Sequence, residues 1–72
     1  MSVIELYGTA CCHLCDEAEA VLLSAGVHTV HIDIADDDSL LEKYGTRIPV
    51  LRRADAELVW PFDAETATRF LA

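Results

Sequence analysis

Three cysteines within the stretch Tyr7-Gly8-Thr9-Ala10-Cys11-Cys12-His13-Leu14-Cys15 constrain this chain more than any other feature. The last four residues form a C-x-x-C pair set between a β-rich run and an amphipathic helical one. A thiol in the first turn of a helix meets unpaired backbone N–H groups and the positive end of the macrodipole, and both favour thiolate over thiol. Cys12 is the better-placed thiol. Cys15 lies about one turn further on, so it can approach Cys12 and close a small disulfide without rebuilding the backbone. The placement reads as redox chemistry.

Other uses of the thiols fit less well. Free cysteine is among the most buried residue types, but a tight cluster of three fills a core poorly. A structural zinc site needs four ligands spread tetrahedrally, and Cys11, Cys12, His13 and Cys15 lie too close along one chain to surround an ion. His28 and His31 lie in a strand-like run at odd separation, so they point to opposite faces and do not both complete a Cys12/Cys15 site. No metal is therefore expected. The haem-attachment pattern C-x-x-C-H also fails, because Asp16 follows Cys15.

With 72 residues, 53% of them apolar, the chain is expected to form one domain over residues 1–72, near the lower limit for folding alone. Met1 to Tyr7 has no basic n-region and carries Glu5 within a short apolar run, so neither a signal peptide nor a membrane span is expected. The expected compartment is the cytoplasm. In that reducing setting an odd number of clustered cysteines argues for a pair that cycles, not for a disulfide framework. The net charge of -8 leaves no electrostatic footprint for nucleic acid, while it repels acidic partners and permits encounter with basic ones. Asp36-Asp37-Asp38 reads as a solvated turn and helix start.

Val3-Ile4-Glu5-Leu6-Tyr7, ended by Gly8, suits a central buried strand. From His13 onward, Leu14, Ala18, Val21, Leu22 and Ala25 recur at helical spacing, and Gly26 is placed to cap the end. Val30, Ile32 and Ile34 alternate with His31 and Asp33, which predicts a strand with one packed face. An Asp-rich turn and Ser39 then precede a short helix, Leu40 to Tyr44, followed by Gly45. Ile48 to Arg53 and Glu57 to Trp60 flank Ala54-Asp55-Ala56 and read as an antiparallel hairpin. Pro49 must open its strand, since it has no N–H for the ladder. Asp63 can cap a last helix, Ala64 to Leu71, whose Ala67, Phe70 and Leu71 would face the sheet.

The order β-α-β-α-β-β-α, with Cys12-His13-Leu14-Cys15 after the first strand and Thr46-Arg47-Ile48-Pro49-Val50 opening the third, resembles the thioredoxin fold in its minimal, glutaredoxin-like form. The resemblance spans nearly the whole chain and implies an α/β fold with a four-stranded mixed sheet. It further implies that Pro49 is cis and packs against the active-site pair, and that Ile48 offers its backbone N–H and carbonyl to a bound thiol substrate. Most glutaredoxins carry C-P-Y-C with a nearby Lys, and a Gly-Gly pair before acidic residues at the last helix. Here those places read Cys-His-Leu-Cys, Thr9-Ala10-Cys11 and Trp60-Pro61-Phe62-Asp63. Asp63 alone matches the family's glutathione-binding acidic residue, so glutathione is expected as a weakly held co-substrate at most, and no resident cofactor is expected.

The expected activity is thiol–disulfide exchange on a disulfide-bearing protein or small thiol, with electrons from a reductant that the sequence does not identify. Cys12 is the expected nucleophile and Cys15 the resolving thiol. His13, beside Cys12, is expected to support the thiolate when protonated and to line the substrate site with Ile48 and Pro49; Asp16 and Glu17 oppose that charge. Cys11 is either an auxiliary thiol or a small buried residue. A monomer is expected, with no nucleic acid or membrane partner. The rival reading is a module whose thiolates hold an iron–sulfur cluster between two chains.

Overall fold

In the computed structural model, which describes residues 3–10 and 12–72, the chain runs β1 (Ile4–Gly8), α1 (His13–Ser24), β2 (Val30–Asp33), α2 (Asp38–Tyr44), β3 (Val50–Arg53), β4 (Ala56–Val59) and α3 (Ala64–Leu71). A 3-10 turn, Ile34–Asp36, joins β2 to the α2 segment. The four strands form one mixed sheet in the order β2-β1-β3-β4. β2 lies parallel to β1, while β3 is antiparallel to both β1 and β4.

Central position explains the apolar run of β1. Leu6 and Leu51 point to one face and pack with Ala18 and Leu22 of α1, Ala67 of α3, and Phe62. Tyr7 and Val50 point to the other and pack with Ile34 and Tyr44, the Tyr7 and Tyr44 rings stacking with centroids 4.7 Å apart. A strand buried on both faces has no polar alternation to show. Helices α1 and α3 therefore cover one face, and the shorter α2 covers part of the other.

α1 ends as Gly26 suggests. Its φ is +75°, the Gly26 N–H donates to the Leu23 carbonyl at 3.0 Å, and the Val27 N–H donates to the Leu22 carbonyl at 2.9 Å. This is the paired Schellman bonding that a glycine in the left-handed region permits. The buried line of the helix is Cys15, Ala18 and Leu22. Leu14, expected on that line, is 44% exposed, because Cys15 takes the core-facing position one residue later.

Several boundaries differ from those expected. β2 stops at Asp33, whose Oδ1 accepts from the Ala35 N–H at 2.9 Å and starts the 3-10 turn, so Ile34 is buried from a turn and not from a strand. Val30 is 51% exposed, since β2 is an edge strand and α2 does not reach over it. The α2 cap is Asp37 and not Ser39: its Oδ1 accepts from the N–H groups of Ser39 at 2.8 Å and Leu40 at 3.2 Å. Part of the acidic run thus serves as a helix cap. The hairpin loop is two residues, Ala54 and Asp55, with Ala56 already paired to Arg53, and Ala54 holds φ +53°. β4 ends at Val59; Trp60 follows it, its N–H donating to the Pro49 carbonyl at 3.1 Å. Trp60–Pro61 is a cis bond that the sequence did not suggest.

Candidate functional site

The loop after β1 delivers Cys12 to the N-cap of α1. Its backbone is extended (φ −103°, ψ 109°), and its Sγ accepts from the Cys15 N–H at 3.1 Å. Sulfur here fills the place of a Ser or Asp oxygen, satisfying one of the orphan donors at the helix start. Cys12 and Cys15 are joined as a disulfide, with their Cα atoms 5.1 Å apart. The two sulfurs are not equivalent: Cys12 is half-buried, whereas Cys15 is only 9% exposed and faces the core. Cys11 lies outside the described residues.

Close packing against β1 fixes Cys15. A Cβ placed on Gly8 would lie 2.6 Å from the Cys15 Sγ and 3.2 Å from its Cβ. Sequence reasoning assigns Gly8 only the task of ending β1. A glycine at a strand end marks close approach as well as termination, and that was the available signal.

The Ile48–Pro49 bond is cis, and Pro49 is fully buried. It precedes β3 instead of forming its first residue. Since Tyr7 pairs with Val50, one further step of the antiparallel register brings Pro49 opposite Gly8, at the same end of the sheet as the cysteine pair. Ile48 is half-buried. Contrary to expectation, its N–H is not available to a substrate, because it donates to the Tyr44 carbonyl at 3.2 Å. The carbonyl of Ile48 has no partner among the described residues. The α2 C-terminus lies just before this loop, and its orphan carbonyls take up the nearest N–H groups, those of Arg47 and Ile48.

His13 stands apart from the sulfur chemistry in this state. Its side chain is 85% exposed, and its Nε2 lies 4.0 Å from Glu17 Oε1, one turn along the same helix. Asp16 is likewise exposed in the first turn. The carboxylates stabilise the positive end of the helix dipole and compete with Cys12 for it. Across the sheet, burial and the neighbouring Glu5 hold the Tyr7 hydroxyl above the ordinary phenol range, which Arg52 partly offsets. Among the described residues no group of three or more His, Cys, Asp or Glu side chains is placed to hold a metal ion. Nor is any of their helices long and apolar enough to cross a membrane.

A family model described as Glutaredoxin-like domain (DUF836) matches residues 3–72. The chain belongs to this glutaredoxin-like family. An X-ray structure of the target protein XcR50 from X. campestris is 40% identical, with 96% of this chain and 95% of that one covered, and superposes with a TM-score of 0.87. The solution structure of XcR50 gives 41% identity, coverage of 96% and 91%, and a TM-score of 0.86. No curated protein matches the chain. The minimal thioredoxin-like architecture of this glutaredoxin-like domain is thus shared across nearly its whole length with a protein solved by two methods. Family and disulfide together support a thiol–disulfide redox role.

Proposed function

We propose that this glutaredoxin-like protein is a thiol–disulfide oxidoreductase in which Cys12 attacks and Cys15 resolves. The observation that carries the reading is the asymmetry of the pair: Cys12 caps a helix from a half-buried position, while its partner Cys15 is packed against Gly8. In the reduced protein, the Cys15 N–H and the helix dipole that now face Cys12 Sγ favour its thiolate. That thiolate attacks one sulfur of a substrate disulfide, forming a mixed disulfide and expelling the other sulfur as a thiolate. Cys15, deprotonated, then attacks Cys12 Sγ; the protein disulfide forms, the mixed disulfide breaks, and its electron pair leaves on the substrate thiolate. Two electrons pass from the dithiol to the substrate.

Half-buried Ile48, positioned by the buried Pro49 that follows it, forms the wall against which the substrate lies, with the Ile48 carbonyl accepting a hydrogen bond from the substrate backbone. His13, open to solvent beside Cys12, contacts the substrate as it docks. The net charge of -8 favours substrates carrying basic residues near the disulfide and disfavours anionic glutathione.

Trapping tests the roles. Cys15→Ser should accumulate a mixed disulfide on Cys12, because the resolving thiol is gone, and Cys12→Ser should be inert toward disulfides. Peptide mapping of the oxidised protein should return the Cys12–Cys15 link. A Cys11–Cys15 link with Cys12 still alkylatable would overturn the assignment. Equilibration against glutathione and dithiol buffers with mass readout gives the potential of the pair and shows whether glutathione attaches.

A further inference from the structure

Resolution requires Cys15 to lose a proton, yet it is 9% exposed and packed under Gly8, so bulk water has poor access to it. A cleft of about 220 Å³ reaches it on the β2 side of β1, whereas Pro49 lies on the β3 side. Cys15 and Gly8 line this cleft together with Asp16 and Glu19 of α1 and His31 and Asp33 of β2, whereas Cys12 does not line it. The parallel register sets His31 beside Leu6 and Asp33 beside Gly8, which turns both side chains to the face covered by α1. There His31 Nε2 lies 3.7 Å from Glu19 Oε1. A volume of this size has room for water, and Asp16, Glu19, His31 and Asp33 are the polar side chains on its walls.

Resting on the dithiol reading above, we infer that His31, beside Glu19, accepts the Cys15 proton across this cleft. The proton passes from Cys15 Sγ through cleft water to the imidazole. The resulting thiolate attacks Cys12 Sγ, the Cys12–substrate bond breaks, and the departing substrate thiolate is protonated by solvent; His31 then returns its proton to solvent. The charge that the imidazole gains faces Glu19 and Asp16 from α1 and Asp33 from its own strand, with His28 on the adjoining cleft. β1 contributes only the uncharged Leu6 and Gly8 to this lining. Three carboxylates, two from α1 and one from β2, thus line the cleft together with His31. His31 is thereby the base for the buried thiol and has no role at half-buried Cys12.

Stopped-flow reaction of the reduced protein with 5,5′-dithiobis(2-nitrobenzoate), in a Cys11→Ser background, separates the two steps. The first nitrothiobenzoate is released by Cys12 attack, and the second by Cys15 resolution. His31→Gln should leave the first phase within twofold of its parent and slow the second about tenfold or more at pH 7. The pH profile of the second phase should also differ between the parent and His31→Gln, while that of the first phase should not. Glu19→Gln should slow the same phase less, and added imidazole should restore it in His31→Ala. Equal second-phase rates and profiles in parent and His31→Gln overturn the relay and leave the dithiol reading standing. A protein that releases no second equivalent overturns both.

Discussion

Replacing Gly8 by alanine places a methyl group 2.6 Å from the Cys15 Sγ and 3.2 Å from its Cβ, where unstrained heavy-atom contacts need about 3.5–4.0 Å. Gly8 does not hold a left-handed φ, so the penalty is steric and not conformational. Overpacking of this kind costs about 1–3 kcal/mol, offset by about 0.4–1 kcal/mol from the lower entropy of the unfolded alanine chain. The expected net loss is about 1–2 kcal/mol, or about 5–15 °C in Tm for a domain of this size. While the disulfide is closed, Cys15 Sγ is tethered and cannot turn away from the methyl; once reduced, it can rotate. The penalty therefore weighs more on the oxidised form, and the reduction potential should rise by about 20 mV for each kcal/mol carried by that form alone. Urea unfolding of oxidised and dithiothreitol-reduced protein reads the first effect as a lower midpoint at unchanged slope, and equilibration against a dithiol buffer reads the second. In a Cys15→Ala background the nearer clash disappears, so Gly8→Ala should cost measurably less there. An unchanged midpoint in the oxidised variant, or an equal loss in both redox states and in the Cys15→Ala background, would refute the reasoning.

Two further substitutions probe the frame around the site. Ala54 holds φ +53° in the β3–β4 hairpin, a conformation costing a non-glycine residue about 1–2 kcal/mol; after the entropy of a glycine in the unfolded chain, Ala54→Gly should gain up to about 1 kcal/mol, read as a higher urea midpoint. Asp63 caps α3, accepting from the Thr66 N–H at 2.7 Å, and that bond holds its carboxyl below the usual carboxylate range. Because the folded pKa is the lower one, the stabilisation is present above the unfolded value of about 3.9 and is lost as pH falls through the folded value. Asp63→Ala should lower Tm at pH 7 with the difference from the parent narrowing in acid, while Asp63→Asn keeps a cap with no such acid dependence; a difference that widens in acid would contradict the assignment.

The sequence by itself determined what depends on neighbours along the chain. The C-x-x-C pair is one helical turn long, so its capacity to close as Cys12–Cys15 follows from local geometry. The left-handed Gly26, the Asp63 cap and the hairpin between β3 and β4 are likewise local, since their bonds join residues within a few positions. Where two local solutions competed, sequence reasoning chose less well. Ser39 and Asp37 are both good caps, and the carboxylate that reaches two N–H groups prevailed. Asp33 ended β2 early by bonding to its own backbone two residues on.

Only the tertiary structure decided which thiol is buried and what surrounds it. Leu14 and Cys15 are adjacent, and helical periodicity tolerates either facing inward; docking of α1 onto β1 turned Cys15 to the core and left Leu14 in solvent. Gly8 reads as a strand terminator until α1 lies over it, because a missing Cβ has meaning only against the atom that would meet it. Alternation puts His31 and Asp33 on one face of β2, but the parallel register with β1 decides that this face opens onto Cys15 and Glu19. The family resemblance offers the N–H of Ile48 to substrate, whereas the end of α2 engages it. Each of these features joins elements far apart along the chain, where the interaction energy depends on the docked partner as much as on the residue itself.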